Sequence, residues 1–113
     1  MFDSVSMVAL HSALDGLSAR QQAIANNVAN LQTPGYHAQR VDFESALAQA
    51  VANGSGVATP TVSQSLEPTR EDGNNVNLDT ETLSNVDTNL RYELATQAMS
   101  TEFSQIRAAM GTN

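Results

Sequence analysis

Two long segments, one near each end of the chain, carry apolar residues at alternating steps of three and four. The first runs from about Asp3 to Leu31, contains no Pro and one Gly, and keeps the spacing once Gln21 is counted in the series. Such steps give one narrow apolar face near 3.5 residues per turn, as in helices that pack along a seam. The apolar members of this first stripe are Met7, Leu10, Leu14, Leu17, Ile24, Val28 and Leu31.

The second helix is predicted from Asp79 to about Met110. Asp79 suits an N-cap, Arg107 lies in the last turns, and Gly111 follows as a stop. A step of five after Leu94 moves the stripe around the helix, so its two halves are expected to face different partners. The stripe consists of Leu83, Val86, Leu90 and Leu94, followed by Met99, Phe103, Ile106 and Met110.

The middle of the chain is predicted to be short and irregular. Thr33-Pro34-Gly35-Tyr36 places Pro and Gly where a type II turn needs them. Asp42 can cap a short helix over 43–52, and 57–66 reads as a strand or extended segment. We therefore expect a mainly α fold in which segments 1–32 and 79–113 pair as an antiparallel coiled coil around the middle segment 33–78, together one structural unit.

Two asparagine clusters flank the junctions between the helices and the middle segment. Asn is a mediocre helix former, so three of them between Ala25 and Asn30 need a reason beyond helix propensity. One interpretation is capping and fraying at the helix end. The other is that the amides hydrogen-bond backbone groups of the turn or of neighbouring chains and so hold the junctions together. The residues expected to form these joints are Asn27, Asn30, Pro34, Gly35, Asn74 and Asn75.

Composition excludes several classes of function. Five basic residues against twelve acidic ones give a net charge of −7, which is incompatible with nucleic-acid binding through cationic side chains. There is no Cys, and His11 and His37 have no acidic or histidine neighbour at ligand spacing, so we expect no metal, cofactor or catalytic site. A calcium loop starting at Asp72 fits poorly, because Val76 and Asn77 stand where an oxygen ligand and a Gly are required. The N-terminus also lacks the pattern of a signal peptide.

A pair of helices cannot bury both stripes by itself. Burying a Leu-sized side chain contributes about 1.5 to 3 kcal/mol, whereas ordering one residue's backbone costs about 1 to 2 kcal/mol. By this comparison, burying some fifteen stripe residues does not offset the cost of ordering some sixty helical residues. The terminal helices are therefore expected to order fully only among copies or partners. The residues expected to carry packing and assembly are Leu10, Leu14, Leu17, Ile24, Leu83, Leu90, Leu94, Phe103 and Ile106.

Two motifs together resemble bacterial flagellar rod and hook axial proteins. The first is the run from Ala25 to Asn30 leading into Thr33-Pro34-Gly35-Tyr36 and then Asp42-Phe43. The second is the run from Asp72 to Asn77, which with the helix after it is similar to the C-terminal half of a rod member of that family. The matching helix residues are Asn89, Leu90, Tyr92, Phe103, Ile106 and Arg107.

The resemblance implies a structural subunit of the proximal rod, the hollow shaft and export channel of the basal body that crosses the periplasm. It implies export by the flagellar type III apparatus, paired terminal helices, and assembly with copies of the chain and other rod proteins. It also implies a FliE-type adaptor and the export gate as neighbours, with no nucleic acid or small-molecule substrate. The alternatives are another rod or hook subunit, a helical export adaptor or chaperone, and, least favoured, a small enzyme.

Overall fold

The computed structural model describes residues 4–111, so Asp3, the predicted start of the first helix, lies outside them. Three helices and two short strands make up the described chain. At 1.5 Å per residue, the first helix is about 37 Å long and the last about 48 Å. The elements are α1 (Val5–Ala29), β1 (Gln39–Asp42), α2 (Glu44–Ala52), β2 (Thr61–Gln64) and α3 (Leu78–Ala109).

The two terminal helices pack side by side in opposite directions. Gln21 on α1 donates a hydrogen bond to Asn89 on α3 at 2.9 Å, and Asn27, further along α1, bonds to Glu81, which is earlier on α3. Contacts that advance along one helix while they go back along the other define an antiparallel pair. The predicted fold class, mainly helical with paired terminal helices, is confirmed.

Side-chain caps set where the long helices begin. Ser4 accepts a hydrogen bond from the Met7 amide and starts α1, while Asn77 accepts one from the Thr80 amide and starts α3. The prediction that Asp79 is the cap of α3 is wrong. Asp79 lies in the first turn instead, where the partial positive charge of the helix end favours a carboxylate.

The middle segment forms an antiparallel pair of strands, and α2 comes between the two strands in the sequence. Gln39 on β1 lies opposite Gln64 on β2, and Asp42 lies opposite Thr61. Strand β2 falls inside the predicted extended segment 57–66, whereas β1 was not predicted. Asp42 is the last residue of β1, so it does not cap α2, whose N-cap residue is Phe43.

The first helix uses a second face, made of small residues, to hold the middle segment. The Phe43 ring covers Gly16 so closely that a Cβ at Gly16 would lie 2.4 Å from the ring. Ser12, which is buried, donates a hydrogen bond to the Gly56 carbonyl at 2.9 Å. The core lies where α1, α3 and the middle segment meet, and its buried members are Leu17, Ala23, Val41, Phe43 and Ala95.

The molecule is long and thin, with extents of 63 × 28 × 15 Å and a radius of gyration of 17.5 Å. A compact domain of this length has a radius of gyration of about 13 Å. Such a shape offers little interior, so much of the apolar surface of α3 stays exposed.

Candidate assembly site

The side-chain amide of Asn27, in the last turns of α1, acts as a partner for strand β1. It is fully buried, accepts from the Gln39 amide at 2.8 Å, and donates to the Gln39 carbonyl at 3.0 Å. Its oxygen also receives the Tyr36 hydroxyl at 3.4 Å, and its nitrogen donates to Glu81. Only a side chain with both a donor and an acceptor can bond to both groups of one strand residue.

Asn74 lies just before α3 and connects this segment to the end of α1. It is fully buried, and its amide nitrogen donates to the carbonyls of Asn30 and Thr33, both at 2.9 Å. Its amide oxygen accepts from the Val76 N–H at 2.7 Å. Carbonyls at a helix C-terminus have no partner within the helix, so Asn74 supplies a second donor to the Asn30 carbonyl, which also accepts from the Thr33 amide at 3.0 Å.

Asn75 performs the same task for the middle segment. Its nitrogen donates to the carbonyls of Ser65, at 3.1 Å, and Glu67, at 3.0 Å, while its oxygen accepts from the Ala38 amide at 2.7 Å. The structure thus places Asn27, Asn74 and Asn75 where the end of α1, the strand pair and the segment before α3 meet. We call these three residues the asparagine joint.

Two glycine turns pack back to back beside the joint. Gly35 has φ of 76° and Gly73 has φ of 85°, values that favour Gly, so the predicted positive φ in the Pro34-Gly35 turn is confirmed. The Gly35 amide donates to the Asp72 carbonyl at 2.8 Å. A Cβ on Gly73 would lie 3.2 Å from the Gly35 Cα, so the close fit depends on the missing side chain of Gly73, whereas a Cβ on Gly35 would meet no atom within 4 Å.

Two charged residues of this region were not predicted from the sequence. Arg70 donates to the carbonyls of Leu31 and Val76, both at 2.7 Å, and so connects the end of α1 to the start of α3. The side chain of Glu81 has no exposed surface, and its Oε1 receives Asn27 and Arg40, the latter at 3.2 Å. An arginine in a polar loop and a glutamate in a helix are common, so no sequence signal marked either residue.

The predicted packing residues of α1 lie on its inner side. Leu17 is 3% exposed and Ile24 is 7% exposed, while Leu10 and Leu14 are half-buried. These four members of the predicted stripe face the rest of the chain, whereas Val28, another member, is 43% exposed.

In the single chain, most of the predicted packing and assembly residues of α3 are exposed. Leu83, Leu90 and Leu94 are 72%, 55% and 57% exposed, and Phe103 is 50% exposed, whereas Ile106 is half-buried. With 3.6 residues per turn, Leu90 lies on the side of α3 opposite the residues that contact α1. The inner residues follow steps of three and four but are mixed in polarity, namely Glu81, Ser84, Thr88, Tyr92, Ala95, Met99 and Glu102.

We call the exposed face of α3 formed by Leu83, Val86, Leu90 and Leu94 the outward stripe. Its four side chains are all more than half exposed, although their spacing is that of a packed helix. An apolar row of this kind on a monomer marks a surface that another molecule covers. The assembly role of these residues remains a prediction.

A charge cluster ties α2 to both long helices. The Arg20 guanidinium bonds to both oxygens of Glu44, at 2.6 and 2.7 Å, and Arg91 of α3 lies 3.4 Å from the same carboxylate. The hydrogen bonds from Arg20 lower the pKa of Glu44 from 4.5 to about 2. Arg20 also stacks over the Phe43 ring at 4.9 Å, so the cluster supports the core contact.

Acid is expected to weaken the chain through Glu44. Because the folded-state pKa is below the unfolded value, the ion pair stabilises fully above about pH 4.5, and this stabilisation is lost as the pH falls towards about 2. Solvent screens this half-exposed pair, so we expect Glu44→Gln to cost about 1 kcal/mol at pH 7 and almost nothing at pH 2. Urea unfolding of both chains between these pH values measures the difference. Glu93→Gln, at an exposed position on α3, is the control, and an equal pH dependence in the two variants would contradict this role.

Among residues 4–111, no group of three or more acidic or histidine side chains is arranged to hold a metal ion. None of the helices over the same range is both long and apolar enough to cross a bilayer.

Comparison with known proteins identifies the family. The model of the flagella basal body rod protein family matches residues 7–37, which contain most of α1 and the Pro34-Gly35 turn. The flagellar basal body rod protein FlgB of Escherichia coli is 34% identical over 110 residues, covering 78% of this chain and 80% of that protein. The chain belongs to the FlgB family of flagellar basal body rod proteins.

Two more FlgB proteins show how widely this similarity extends. The FlgB of Borreliella burgdorferi is 28% identical, covering 88% of this chain and 91% of the relative. The FlgB of Bacillus subtilis is 24% identical, covering 89% of both. The chain is therefore a structural subunit of the rod in the flagellar basal body, as FlgB proteins are, and it assembles with other rod proteins. The finer prediction about its neighbours is taken up below.

Proposed function

We propose that this FlgB-family chain is a proximal rod subunit whose asparagine joint presents α3 so that neighbouring subunits cover its outward stripe. The observation that carries this proposal is the position of the stripe. Four large apolar side chains face away from α1, the helix against which α3 packs, and a rod subunit has neighbours on several sides.

The joint gives the chain a defined shape to present. Three buried amides, two back-to-back turns and Arg70 hold the end of α1, the strands and the start of α3 in one arrangement. A subunit that must repeat along a tube needs such a rigid corner, because an error in the angle between elements would accumulate from copy to copy.

Copies of the chain and other rod proteins are the proposed occupants of the outward stripe. At the rod base, the FliE-type adaptor and the export gate are proposed as further neighbours, on the basis of the family resemblance. The four side chains of the outward stripe are uncharged, and the exposed Asp87 and Glu93 lie three residues to either side of Leu90. A helical chaperone is the competing function, and it would remain in the cytoplasm.

Accessibility of the stripe in assembled rods tests the proposal. The chain has no cysteine, so Leu90→Cys and Leu94→Cys each introduce a single thiol. We expect a maleimide to label both thiols in the free chain but, in purified basal bodies, only after denaturation. Labelling in intact basal bodies at the rate of the free chain would overturn the proposal. The proposal would also be overturned if the chain were absent from basal bodies purified from cells with the unsubstituted gene.

A further inference from the structure

The hydrogen-bond pattern of the strand pair shows which groups β2 offers to the outside. The Ser65 amide donates to the Ala38 carbonyl at 2.7 Å, which puts these opposite residues at a hydrogen-bonded position of the ladder, although the Ala38 amide itself donates to Asn75. Bonded and non-bonded pairs alternate along antiparallel strands, so Arg40 and Ser63 form the next bonded pair. The N–H and C=O groups of Val62 and Gln64 therefore point away from β1.

The two edges of this small sheet are treated differently. The outer edge of β1 is closed by α1, because Asn27 bonds to both backbone groups of Gln39 and Arg20 donates twice to the Val41 carbonyl, at 3.2 and 2.7 Å. Over residues 4–111, no hydrogen bond reaches the outward backbone groups of Val62 or Gln64. The sheet thus has one closed edge and one open edge.

The open edge carries no charged residue, although β2 is only four residues long and follows Pro60, which are two other protections against pairing. Proteins guard exposed strand edges with charged residues, bulges or covering segments. All four residues of β2 are exposed, Val62 to 58%, and the chain has no charged residue between Ser45 and Leu66. A second strand could approach this edge without meeting a charge.

We propose that the unassembled chain pairs with a second copy of itself, β2 to β2, about a two-fold axis at Ser63. In this register, Val62 of each copy faces Gln64 of the other, and each of these two pairs exchanges two backbone hydrogen bonds. The two strand pairs then become one antiparallel sheet of four strands. Pro60, which directly precedes β2 and has no N–H, stops the pairing from extending beyond the start of that strand.

A second copy is the occupant that fits this edge on three counts. The outward groups of Val62 and Gln64 are self-complementary about Ser63, as an isologous contact requires. The pairing segment is uncharged although each copy carries −7, so the repulsion between copies is least here. The closed edge of β1 prevents further strands from adding, so the pairing stops at two chains.

This dimer is distinct from the rod contact and does not depend on the proposed function. A two-fold axis across the strand reverses one subunit relative to the other, whereas the subunits of a polar shaft all point the same way. The pairing therefore belongs to the chain before it is incorporated, and it covers an edge that would otherwise be open to aggregation.

Amide exchange at two concentrations tests the proposal on the unsubstituted chain. The amides of Val62 and Gln64 should exchange faster in dilute solution than in concentrated solution, while that of Ser63, bonded within the chain, should be protected in both. When four-fifths of the chains are paired, the first two amides should exchange about fivefold more slowly. Equal exchange of Val62 and Gln64 at concentrations up to the solubility limit would overturn the proposal.

A charge-swap experiment identifies the partner as β2 of a second copy. Ser63→Asp places a carboxylate opposite Arg40 within the chain but opposite an identical carboxylate across the two-fold axis. We expect Ser63→Asp alone to be monomeric by sedimentation and to pair when mixed with Ser63→Lys. Ser45→Asp, with the same charge change on α2, should dimerise normally. Dimerisation of Ser63→Asp alone would overturn the two-fold register, whereas Leu90→Asp, which tests the rod contact, should leave this pairing intact.

Discussion

Cells that make only the Leu90→Asp chain are expected to secrete it and yet to have no complete rod. Leu90 is 55% exposed and faces away from α1, so an aspartate there should change the stability of the free chain by no more than about 0.5 kcal/mol. In the rod, the same carboxylate would be buried without a partner against a neighbouring subunit, at a cost of several kcal/mol for each copy. Electron microscopy of basal-body preparations and assay of the chain in the culture medium measure the two effects.

Ser100→Asp is the matched control for this experiment. It introduces the same charge on the same helix at an exposed position away from the outward stripe, so rods should form normally. Complete rods in the Leu90→Asp strain would show that neighbours do not cover the stripe. Loss of secretion with a normally folded chain would instead place an export signal in α3.

The second large effect is expected at the asparagine joint, where Asn27→Leu should destabilise the chain itself. The substitution removes four hydrogen bonds and leaves the buried Glu81 carboxylate and both backbone groups of Gln39 without this partner. Buried polar groups that lose their partner cost about 1 to 3 kcal/mol each, so we expect a total loss of about 3 kcal/mol or more. Thermal unfolding followed by circular dichroism should show a midpoint lower by about 10 to 20 °C.

Asn26→Leu separates this effect from a change in helix propensity. Asn26 is the preceding residue on α1 and is exposed, so the same substitution there should leave the midpoint almost unchanged. If the two variants unfold at the same temperature, the amide of Asn27 does not stabilise the joint.

Local signals in the sequence were enough to predict the turns and the long helices. The Pro34-Gly35 turn depends only on the backbone preferences of two adjacent residues, and its geometry was predicted correctly. Strand β1 was missed because Gln39 and Arg40 have no strong strand preference. Its extended backbone is held by Asn27 and by β2, which are contacts between distant parts of the chain.

The face of α3 shows a different limit of sequence analysis. The regular spacing of Leu83, Leu90 and Leu94 reveals that one side of the helix is apolar. The spacing does not reveal what covers that side, because apolar residues recur with the same period whether the same chain or a neighbour packs against them. The contact with α1 is made instead by a row that contains Glu81 and Thr88, which no hydrophobic pattern could indicate. For the asparagine residues, their concentration at the junctions was the informative signal, while their individual hydrogen-bond partners required the fold.

The contact between the Gly35 and Gly73 turns makes everything between them a closed loop. The Gly35 amide and the Asp72 carbonyl are hydrogen-bonded at 2.8 Å, so the intervening chain leaves and returns at one point without separating α1 from α3. The free-energy cost of closing a flexible loop, which is entropic, rises only by about 0.6 kcal/mol for each doubling of the loop's length. Extra residues placed in the exposed turn at Asn53-Gly54 would therefore lengthen the loop at little thermodynamic cost. This turn is where a subunit of this design can acquire an additional domain while its paired helices keep their positions.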